Sequence, residues 1–222
     1  ATAARNLRDP EGKGLEDLRK AAGCIGELDS VMLANGVYSA FVELHIEQGP
    51  ILEAEGIDIG VVEKIAAPAA FRIRLTGQGG HAGAVLMPGR RDALLAAAEI
   101  ALVVEKAALE SGSPDTVGTT GVLNVKPGAI NSIPCDVLME VDFRDTDLIT
   151  REQALKQIRL ECEAICSRRQ IGFEWTFINE DPPAICDPGL VDLVLKVAAE
   201  AGCSTRRMIS RAYHDSPFMA RL

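Results

Sequence analysis

The sequence predicts an α/β fold in which one compact sandwich is inserted between two shorter flanking segments. Strand-like and helical segments alternate regularly over residues 61–179, and the rigid run Asp181-Pro182-Pro183 then ends that series. With 222 residues, 47% of them hydrophobic, the chain can bury one substantial core or two smaller ones. We therefore expect a folded chain rather than a disordered one.

The inserted sandwich is predicted from six elements in the order strand, helix, strand, strand, helix, strand. Period-two alternation indicates the strands, and apolar residues at helical spacing indicate the helices. The strands are predicted at residues 70–75, 116–125, 137–143 and 173–178, and the helices at residues 91–109 and 150–168. This β-α-β-β-α-β order is the ferredoxin-like arrangement.

The flanking segments are predicted to contain fewer elements. Before the insertion we predict a helix at residues 15–22, a strand at residues 40–46 and a short helix at residues 50–55. After it, a helix at residues 188–201 leads to a strand around residues 208–209. A domain with adjacent termini can be inserted into a loop of a host domain, so both flanks are assigned to one host.

Composition excludes several classes of partner. The net charge is -9 and the basic residues are scattered, which argues against nucleic acid, because phosphate binding needs a concentrated positive face. No apolar run approaches the ~20 residues that span a bilayer, so no membrane association is expected.

Cys162 and Cys166 lie four apart on a predicted helix and could suggest a metal pair. With no further ligand nearby, packing is the favoured interpretation.

Three histidines are the main candidates for chemistry, and the first is His45. It is predicted at the end of a strand, where Glu43 and Glu47 flank it at even spacing and point to the same side. Burying three such side chains together is costly without a cation or hydrogen-bond donors. Neutral imidazole there is a suitable ligand for a divalent metal. The alternative is a half-buried strand residue.

His81 lies in a glycine-rich loop at residues 77–84. Glycines let the backbone approach a ligand or another chain closely, although an ordinary turn between strand and helix has the same composition. The loop lacks the glycine order of a dinucleotide site, and no acidic residue follows at the required distance. An exposed imidazole here could donate a hydrogen bond to a developing oxyanion.

His214 belongs to the polar segment 211–216, which follows a predicted strand. A serine nucleophile is disfavoured because the G-x-S-x-G pattern is absent and no second histidine is near in the sequence. Imidazole and guanidinium groups favour a binding role, since arginine offers a fork for carboxylates. Asn131 and Arg144 add two further donors, each of which could equally be a turn residue or a surface ion pair.

Four motifs resemble a metallopeptidase-like amidohydrolase family that includes enzymes acting on ureidoglycolate, allantoate and N-carbamoyl amino acids. They are H-I-E-Q-G-P from His45, G-G-H-A-G-A from Gly79, G-A-I-N-S-I-P from Gly128 and R-A-Y-H-D-S from Arg211. The resemblance extends over residues 38–222. The first three motifs occur across the family. The last favours ureidoglycolate, because the allantoate and carbamoyl relatives usually have G-A-G-H-D-A there.

The resemblance implies a hydrolase with two divalent metal ions, for which manganese is the expected metal. His45 would be a ligand of one ion, and the ions would activate water for attack on the ureido carbon. His81 would reach across a homodimer into the active site of the partner, where it would stabilise the oxyanion. Gln48 would contact the substrate, a small ureide.

The resemblance also implies the rest of the substrate site and the domain organisation. Asn131 and Arg144 would hold the substrate carboxylate, and His214 would line the pocket. Residues 67–182 would form a ferredoxin-like lid through which the chain dimerises. Residues 1–66 and 183–222 would be parts of a zinc-peptidase-like catalytic α/β domain.

The family places further metal ligands and a Glu-Glu pair outside this chain, before residue 1 and after residue 222. The resemblance therefore implies a fragment that is inactive alone, because it has no general base from that pair. Allantoate or a carbamoyl amino acid is the alternative substrate, and a non-catalytic dimerisation module or a metal-free sensor is the alternative class. The resemblance implies the endoplasmic reticulum for this chain if its source is a plant or an alga, and the cytoplasm if its source is a bacterium.

Overall fold

The computed structural model describes residues 2–9, 11–32, 34 and 36–221, which fall into two compact units. In the first unit, residues 1–42, the described residues form two α-helices and a 3₁₀ helix. These are α1 (Thr2–Arg5), α2 (Leu15–Ala21) and the 3₁₀ helix Leu28–Val31. The helix predicted at residues 15–22 is thereby confirmed.

The second unit, residues 43–221, contains the remaining elements. Its helices are α3 (Ile51–Glu55), α4 (Ala93–Leu109), α5 (Leu148–Arg169), α6 (Pro188–Glu200) and α7 (Ser216–Met219). Its strands are β1 (Ile59–Ile65), β2 (Ala67–Thr76), β3 (Gly80–His81), β4 (Val117–Lys126), β5 (Ser132–Ile133), β6 (Asp136–Asp145), β7 (Gly172–Glu180), β8 (Ala184–Ile185) and β9 (Thr205–Ser210). In the part of the chain that the structure describes, no helix is both long and apolar enough to cross a membrane.

Strands β2, β4, β6 and β7 form an antiparallel sheet in the order β4-β6-β2-β7. Strand β2 is central, and its pairing with β6 runs without a shift from Ala67 opposite Asp145 to Thr76 opposite Asp136. Helix α4 lies between β2 and β4 in the sequence, and α5 lies between β6 and β7. This is the predicted order of six elements, and we call residues 67–180 the sandwich.

The core of the sandwich lies between one face of this sheet and helices α4 and α5. Alternate residues of β2, among them Phe71 and Ile73, are fully buried on that face. Arg72 and Arg74 lie on the opposite face, where they form ion pairs with carboxylates of β6. Burying one large apolar side chain stabilises a fold by about 1.5–3 kcal/mol, so the buried residues of this face stabilise the sandwich.

Cysteines 162 and 166 of α5 belong to this core. Both are buried, and burial raises the pKa of Cys162 to about 12 and that of Cys166 to about 11. Thiols with such pKa values stay protonated at neutral pH and are poor metal ligands. The prediction that these two residues serve packing is confirmed.

The two segments that flank the sandwich meet in a second sheet. Strand β1, which precedes the sandwich, pairs in parallel with β9 and antiparallel with β8, both of which follow it. Helix α6 packs against β1 and β9. The chain therefore leaves this sheet after Ile65 and returns to it at Ala184.

The strand predicted at residues 40–46 is wrong, because none of these residues lies in a strand. Leu44 is 97% exposed and Ile46 is 73% exposed, so neither apolar side chain is buried against a core. A segment with strand propensity becomes a strand only where a neighbouring strand offers hydrogen bonds and a packing surface. Neither is provided to this segment by the residues that the structure describes.

Candidate active site

Glu43, His45 and His214 form a polar cluster beside the second sheet. One ligand atom from each side chain lies within 4.8 Å of the others. The two imidazole rings meet edge to face, with 4.3 Å between their centroids and an interplanar angle of 82°. The cluster therefore joins the segment before the sandwich to the segment after β9.

His45 is oriented by its own backbone neighbour. Its Nδ1 lies 2.7 Å from the carbonyl oxygen of Ile46, and a carbonyl oxygen can only accept a hydrogen bond. Nδ1 therefore carries the proton, and Nε2 keeps its lone pair. A hydrogen bond from one imidazole nitrogen to a carbonyl commonly fixes the ring whose other nitrogen binds a metal. The side chain is exposed, which leaves Nε2 accessible.

His214 is more enclosed than His45. Its Nε2 lies 2.5 Å from the hydroxyl of Ser210, whereas its Nδ1 is buried and has no hydrogen-bond partner among the described residues. Burial lowers the pKa of His214, and the neighbouring His45 lowers it further. The ring is therefore neutral at pH 7, and a buried polar atom without a partner is a position for a ligand or cation.

Glu43 ties the cluster to the segment that follows His214. Its carboxylate accepts hydrogen bonds from the backbone N–H of Ser216 at 3.0 Å and from the Ser216 hydroxyl at 2.6 Å. These bonds lower the pKa of Glu43, and the nearby His214 adds to the effect. The carboxylate is therefore ionised at neutral pH and contributes negative charge to the cluster.

Glu47 does not join this cluster, contrary to the prediction that it lies on the same side as Glu43 and His45. Its two carboxylate oxygens accept from the N–H groups of Ile51 and Leu52, each at 2.9 Å, at the start of α3. The even spacing predicted a shared side only for a strand, and this segment is not one. Glu47 instead satisfies backbone donors that a helix start leaves free.

The cluster fits a divalent metal ion in the chemistry of its donors. It offers the free Nε2 of His45, the unpartnered Nδ1 of His214 and an ionised carboxylate. Neutral imidazole and carboxylate are the ligands that zinc, manganese and related divalent ions take in proteins.

His81 and Asn131 line a separate open groove of about 360 Å³ on the sandwich. Strand β3 places His81 opposite Ser132 of β5, and the carbonyl of Asn131 accepts from the N–H of Ala82 at 2.8 Å. The N–H of Gly83 donates to Nδ1 of His81 at 3.1 Å, so the proton of the neutral ring lies on Nε2. His81 thus presents an exposed N–H donor beside Asn131.

Close approach explains part of the glycine pattern around His81. A Cβ atom on Gly77 would lie 2.1 Å from the carbonyl oxygen of Arg91, which no side chain could tolerate. Gly77 also donates its N–H to the carbonyl of Cys135 at 2.8 Å. This glycine is required by the packing of the loop, independently of any ligand.

Arg144 lies where the sandwich contacts the segment after β9. Its Nε donates to Asp142 at 2.8 Å and its Nη1 donates to the carbonyl of Arg211 at 2.6 Å. Arg211 in turn pairs with Asp115, another residue of the sandwich. The hydrogen bond with Asp142 is the main cause that raises the pKa of Arg144.

The length of β6 separates Arg144 from the groove. Asn131 lies before Asp136, where β6 begins, whereas Arg144 is next to the last residue of that strand. At about 3.3 Å per residue, Asp136 and Arg144 are roughly 26 Å apart along β6. One carboxylate therefore cannot contact Asn131 and Arg144 of the same chain.

Gln48 precedes α3, and its side chain is exposed. Its backbone φ is 54°, in the left-handed region that non-glycine residues seldom adopt. Strained positions of this kind concentrate at ligand sites. The predicted substrate contact of Gln48 remains a prediction.

The sequence pattern did not reveal the contacts of two further polar residues, Asp181 and Arg151. Asp181 was interpreted only as part of a proline-rich boundary, yet its carboxylate binds Tyr213 next to the cluster. Arg151 lies in the helix predicted at residues 150–168, and the structure shows that it is 1% exposed. Its position in the apolar stripe that continues with Leu155 and Ile158 is a signal that could have identified it as buried.

Residues 11–222 match the family described as peptidase family M20/M25/M40, and the chain belongs to this family. Among curated proteins, a ureidoglycolate hydrolase of Arabidopsis thaliana is 54% identical over 88% of this chain and 41% of its own length. An N-carbamoyl-L-amino acid amidohydrolase of Geobacillus stearothermophilus is 38% identical over 90% of this chain and 47% of its own length.

Solved structures show the same relationship. The crystal structure of AtUAH in complex with glyoxylate superposes with a TM-score of 0.86 and 50% sequence identity, covering 96% of this chain and 52% of that one. The chain therefore spans about half the length of the relatives that it matches.

Proposed function

We propose that this chain forms part of a metal-dependent amidohydrolase that cleaves the ureido C–N bond of ureidoglycolate to give glyoxylate, ammonia and carbon dioxide. The meeting of Glu43, His45 and His214, with Nε2 of His45 and the buried Nδ1 of His214 both without a hydrogen-bond partner among the described residues, is the observation that supports this function best. The similarity to ureidoglycolate hydrolase supports the choice of substrate.

The proposed enzyme uses two divalent ions, with manganese as the proposed metal and His45 as one ligand. When bound, such ions supply Lewis-acid activation of water and of the ureido carbonyl. The chain's own contribution is to hold Nε2 of His45 in a fixed direction and to keep the neighbouring His214 neutral. A charged imidazolium beside the cations would oppose their binding.

The substrate is oriented by donors of the sandwich. Arg144 offers a guanidinium for the carboxylate, and the Nε2–H of His81 is suited to donate to the oxyanion that develops on the ureido carbon. Gln48 and His214 complete the proposed pocket. Fixing the carboxylate aligns the ureido group and so lowers the entropic part of the barrier.

The sandwich is proposed to act as a ferredoxin-like lid and to dimerise. Asn131 and His81 lie at one end of β6 and Arg144 at the other, roughly 26 Å away by the rise of the strand. If all three contact one small ureide, they must come from two chains. The groove of one chain would then face the cluster of its partner.

Two alternatives make different predictions. Allantoate or an N-carbamoyl amino acid would use the same groups, and the similarity to an N-carbamoyl-L-amino acid amidohydrolase favours the second of these. A non-catalytic dimerisation module would form dimers and bind neither cation nor ureide.

Calorimetry on the purified chain discriminates among these functions. Manganese is titrated first, and ureidoglycolate, allantoate and an N-carbamoyl amino acid follow in its presence. We expect manganese binding that His45→Ala weakens by at least about 100-fold and that Glu47→Gln, outside the cluster, leaves unchanged. Tighter binding of allantoate would overturn the proposed substrate, and no binding of manganese would favour the dimerisation module.

Hydrolysis is assayed separately on the same protein. From the resemblance we expect these 222 residues to release no ammonia from ureidoglycolate with manganese. Turnover near that of a full-length relative would contradict the expectation that further ligands are needed, and it would support the proposed reaction directly.

A further inference from the structure

The segment that contains His214 is held at two places, by Arg144 of the sandwich and by Asp181, which directly follows the sandwich. Arg144 donates to the carbonyl of Arg211, and the hydroxyl of Tyr213 donates to Asp181 at 2.6 Å. The first contact precedes His214 by three residues, and the second involves its immediate neighbour. The position of His214 therefore depends on groups that lie outside its own segment.

Asp181 is itself firmly held at the point where the chain leaves the sandwich. Its carboxylate also accepts from Arg221 at 2.8 Å, and its backbone carbonyl accepts from Arg151 at 2.5 Å. Arg151 donates as well to the carbonyl of Ala67, where the chain enters the sandwich, at 3.1 Å. A buried arginine thus joins entry and exit, and Asp181 extends this junction to Tyr213.

The chemistry of the Asp181–Tyr213 contact agrees with a strong hydrogen bond. The bond lowers the pKa of Asp181, and burial together with this carboxylate raises the pKa of Tyr213. An ionised acceptor and a protonated phenol therefore face each other at neutral pH. Hydrogen bonds to charged groups are stronger than those between neutral groups.

We propose that Asp181 is a positioning residue of the active site, which holds Tyr213 and thereby fixes His214 against His45. The role in a pocket rests on the proposed function, whereas the placement of His214 does not. Because Asp181 is fixed by the junction of the sandwich, movement of the sandwich would be transmitted to His214. The position of the ring would then depend on that of the sandwich.

Nuclear magnetic resonance of the imidazole groups tests this in the full chain without metal or substrate. The chain has three histidines, so their ring signals are resolved after selective ¹³C labelling. We expect Asp181→Ala to shift the signals of His214 and His45 and to leave that of His81 unshifted. His81 serves as an internal reference, because its groove lies at the far end of β6.

A double-mutant cycle shows whether the effect passes through the Tyr213 hydroxyl. Tyr213→Phe should shift the His214 signal in the wild-type chain and shift it less in the Asp181→Ala chain, where the bond is already lost. Asp192→Ala, which removes an exposed ion pair with Arg207, should shift none of the three signals.

Two outcomes would overturn the proposal. One is an unshifted His214 signal in Asp181→Ala. The other is a His214 shift caused by Tyr213→Phe that is equally large in the wild-type and the Asp181→Ala chain. If Asp181→Ala fails to fold, an unshifted signal in Tyr213→Phe is decisive. If the wild-type chain failed to bind manganese or a ureide in calorimetry, only the proposed function would be contradicted. The resonance experiment contains neither manganese nor ureide, so its result does not depend on that binding.

Discussion

The sandwich and the cluster beside the second sheet differ in what surrounds their side chains. In the sandwich, Phe71, Ile100 and Met139 are completely buried among other apolar groups. In the cluster, the imidazole of His45 is exposed, and the neighbouring Leu44 is 97% exposed. The sandwich is therefore stabilised by apolar burial, and the cluster is held by hydrogen bonds.

This difference separates the residues that stabilise the chain from those suited to chemistry. A buried Nδ1 without a partner, as on His214, costs free energy that the cluster does not recover by apolar packing. The buried apolar side chains of the sandwich offset that cost. Substitutions in the sandwich should therefore mainly lower the free energy of unfolding, whereas substitutions in the cluster should mainly weaken ligand binding.

The largest effect on stability is expected from Phe71→Ala in the sandwich. Phe71 is 0% exposed and stacks on Trp175 with 3.9 Å between ring centroids, so truncation leaves a cavity that the packed core cannot fill. We expect the free energy of unfolding, measured in urea, to fall by about 3–5 kcal/mol. Phe218→Ala, at a residue 47% exposed, should cost much less. Similar losses in both variants would contradict the comparison.

A smaller effect is expected from Arg151→Ala. The substitution leaves the carbonyls of Ala67 and Asp181 without their buried donor, which should reduce the free energy of unfolding by about 2 kcal/mol. Arg159→Ala is the matched control, because the ion pair of Arg159 with Glu163 is exposed and worth less than about 0.5 kcal/mol. If Arg151→Ala left the free energy of unfolding unchanged, the cost of burying the guanidinium would equal the gain from its hydrogen bonds.

Glu43→Gln should have an effect of about 1 kcal/mol that depends on pH. The folded pKa of Glu43 lies below its ordinary value of 4.5, so its contribution is complete above that value and is lost as the pH falls through the folded pKa. Unfolding free energies of both proteins are compared from neutral to acidic pH without added metal. If the difference in unfolding free energy between the two proteins stayed constant down to the lowest pH, the ionised carboxylate of Glu43 would not be its cause.

The smallest effect on stability is expected from His45→Ala. Its ring is exposed, so the free energy of unfolding should change by less than about 0.5 kcal/mol. Manganese affinity should nevertheless fall by at least about 100-fold, since the loss of even an outer-shell partner costs about 10–100-fold. Calorimetry and urea unfolding on the same sample measure both quantities. A destabilised His45→Ala would remove the contrast between the two regions.

The elements of the sandwich were predictable because their signals are local. Alternation along β2 and β6 and the aspartates that begin α4 and α5 depend only on residues a few positions apart. Residues 40–46 have the same kind of signal but no strand partner among the described residues, and there the prediction was wrong. Their neighbour Glu47 consequently caps α3 instead of facing the cluster.

By itself, the sequence determined the order of helices and strands, the buried alternation of the sandwich and the residue types from which a metal and ureide site could be built. Only the tertiary structure decided that Glu43 meets Ser216, 173 positions away, and that Asn131 and Arg144 lie at opposite ends of one strand. The physical reason is the separation along the chain over which each feature is determined. Periodicity depends on residues a few positions apart, whereas contacts between distant side chains depend on how the sheets bring their segments together.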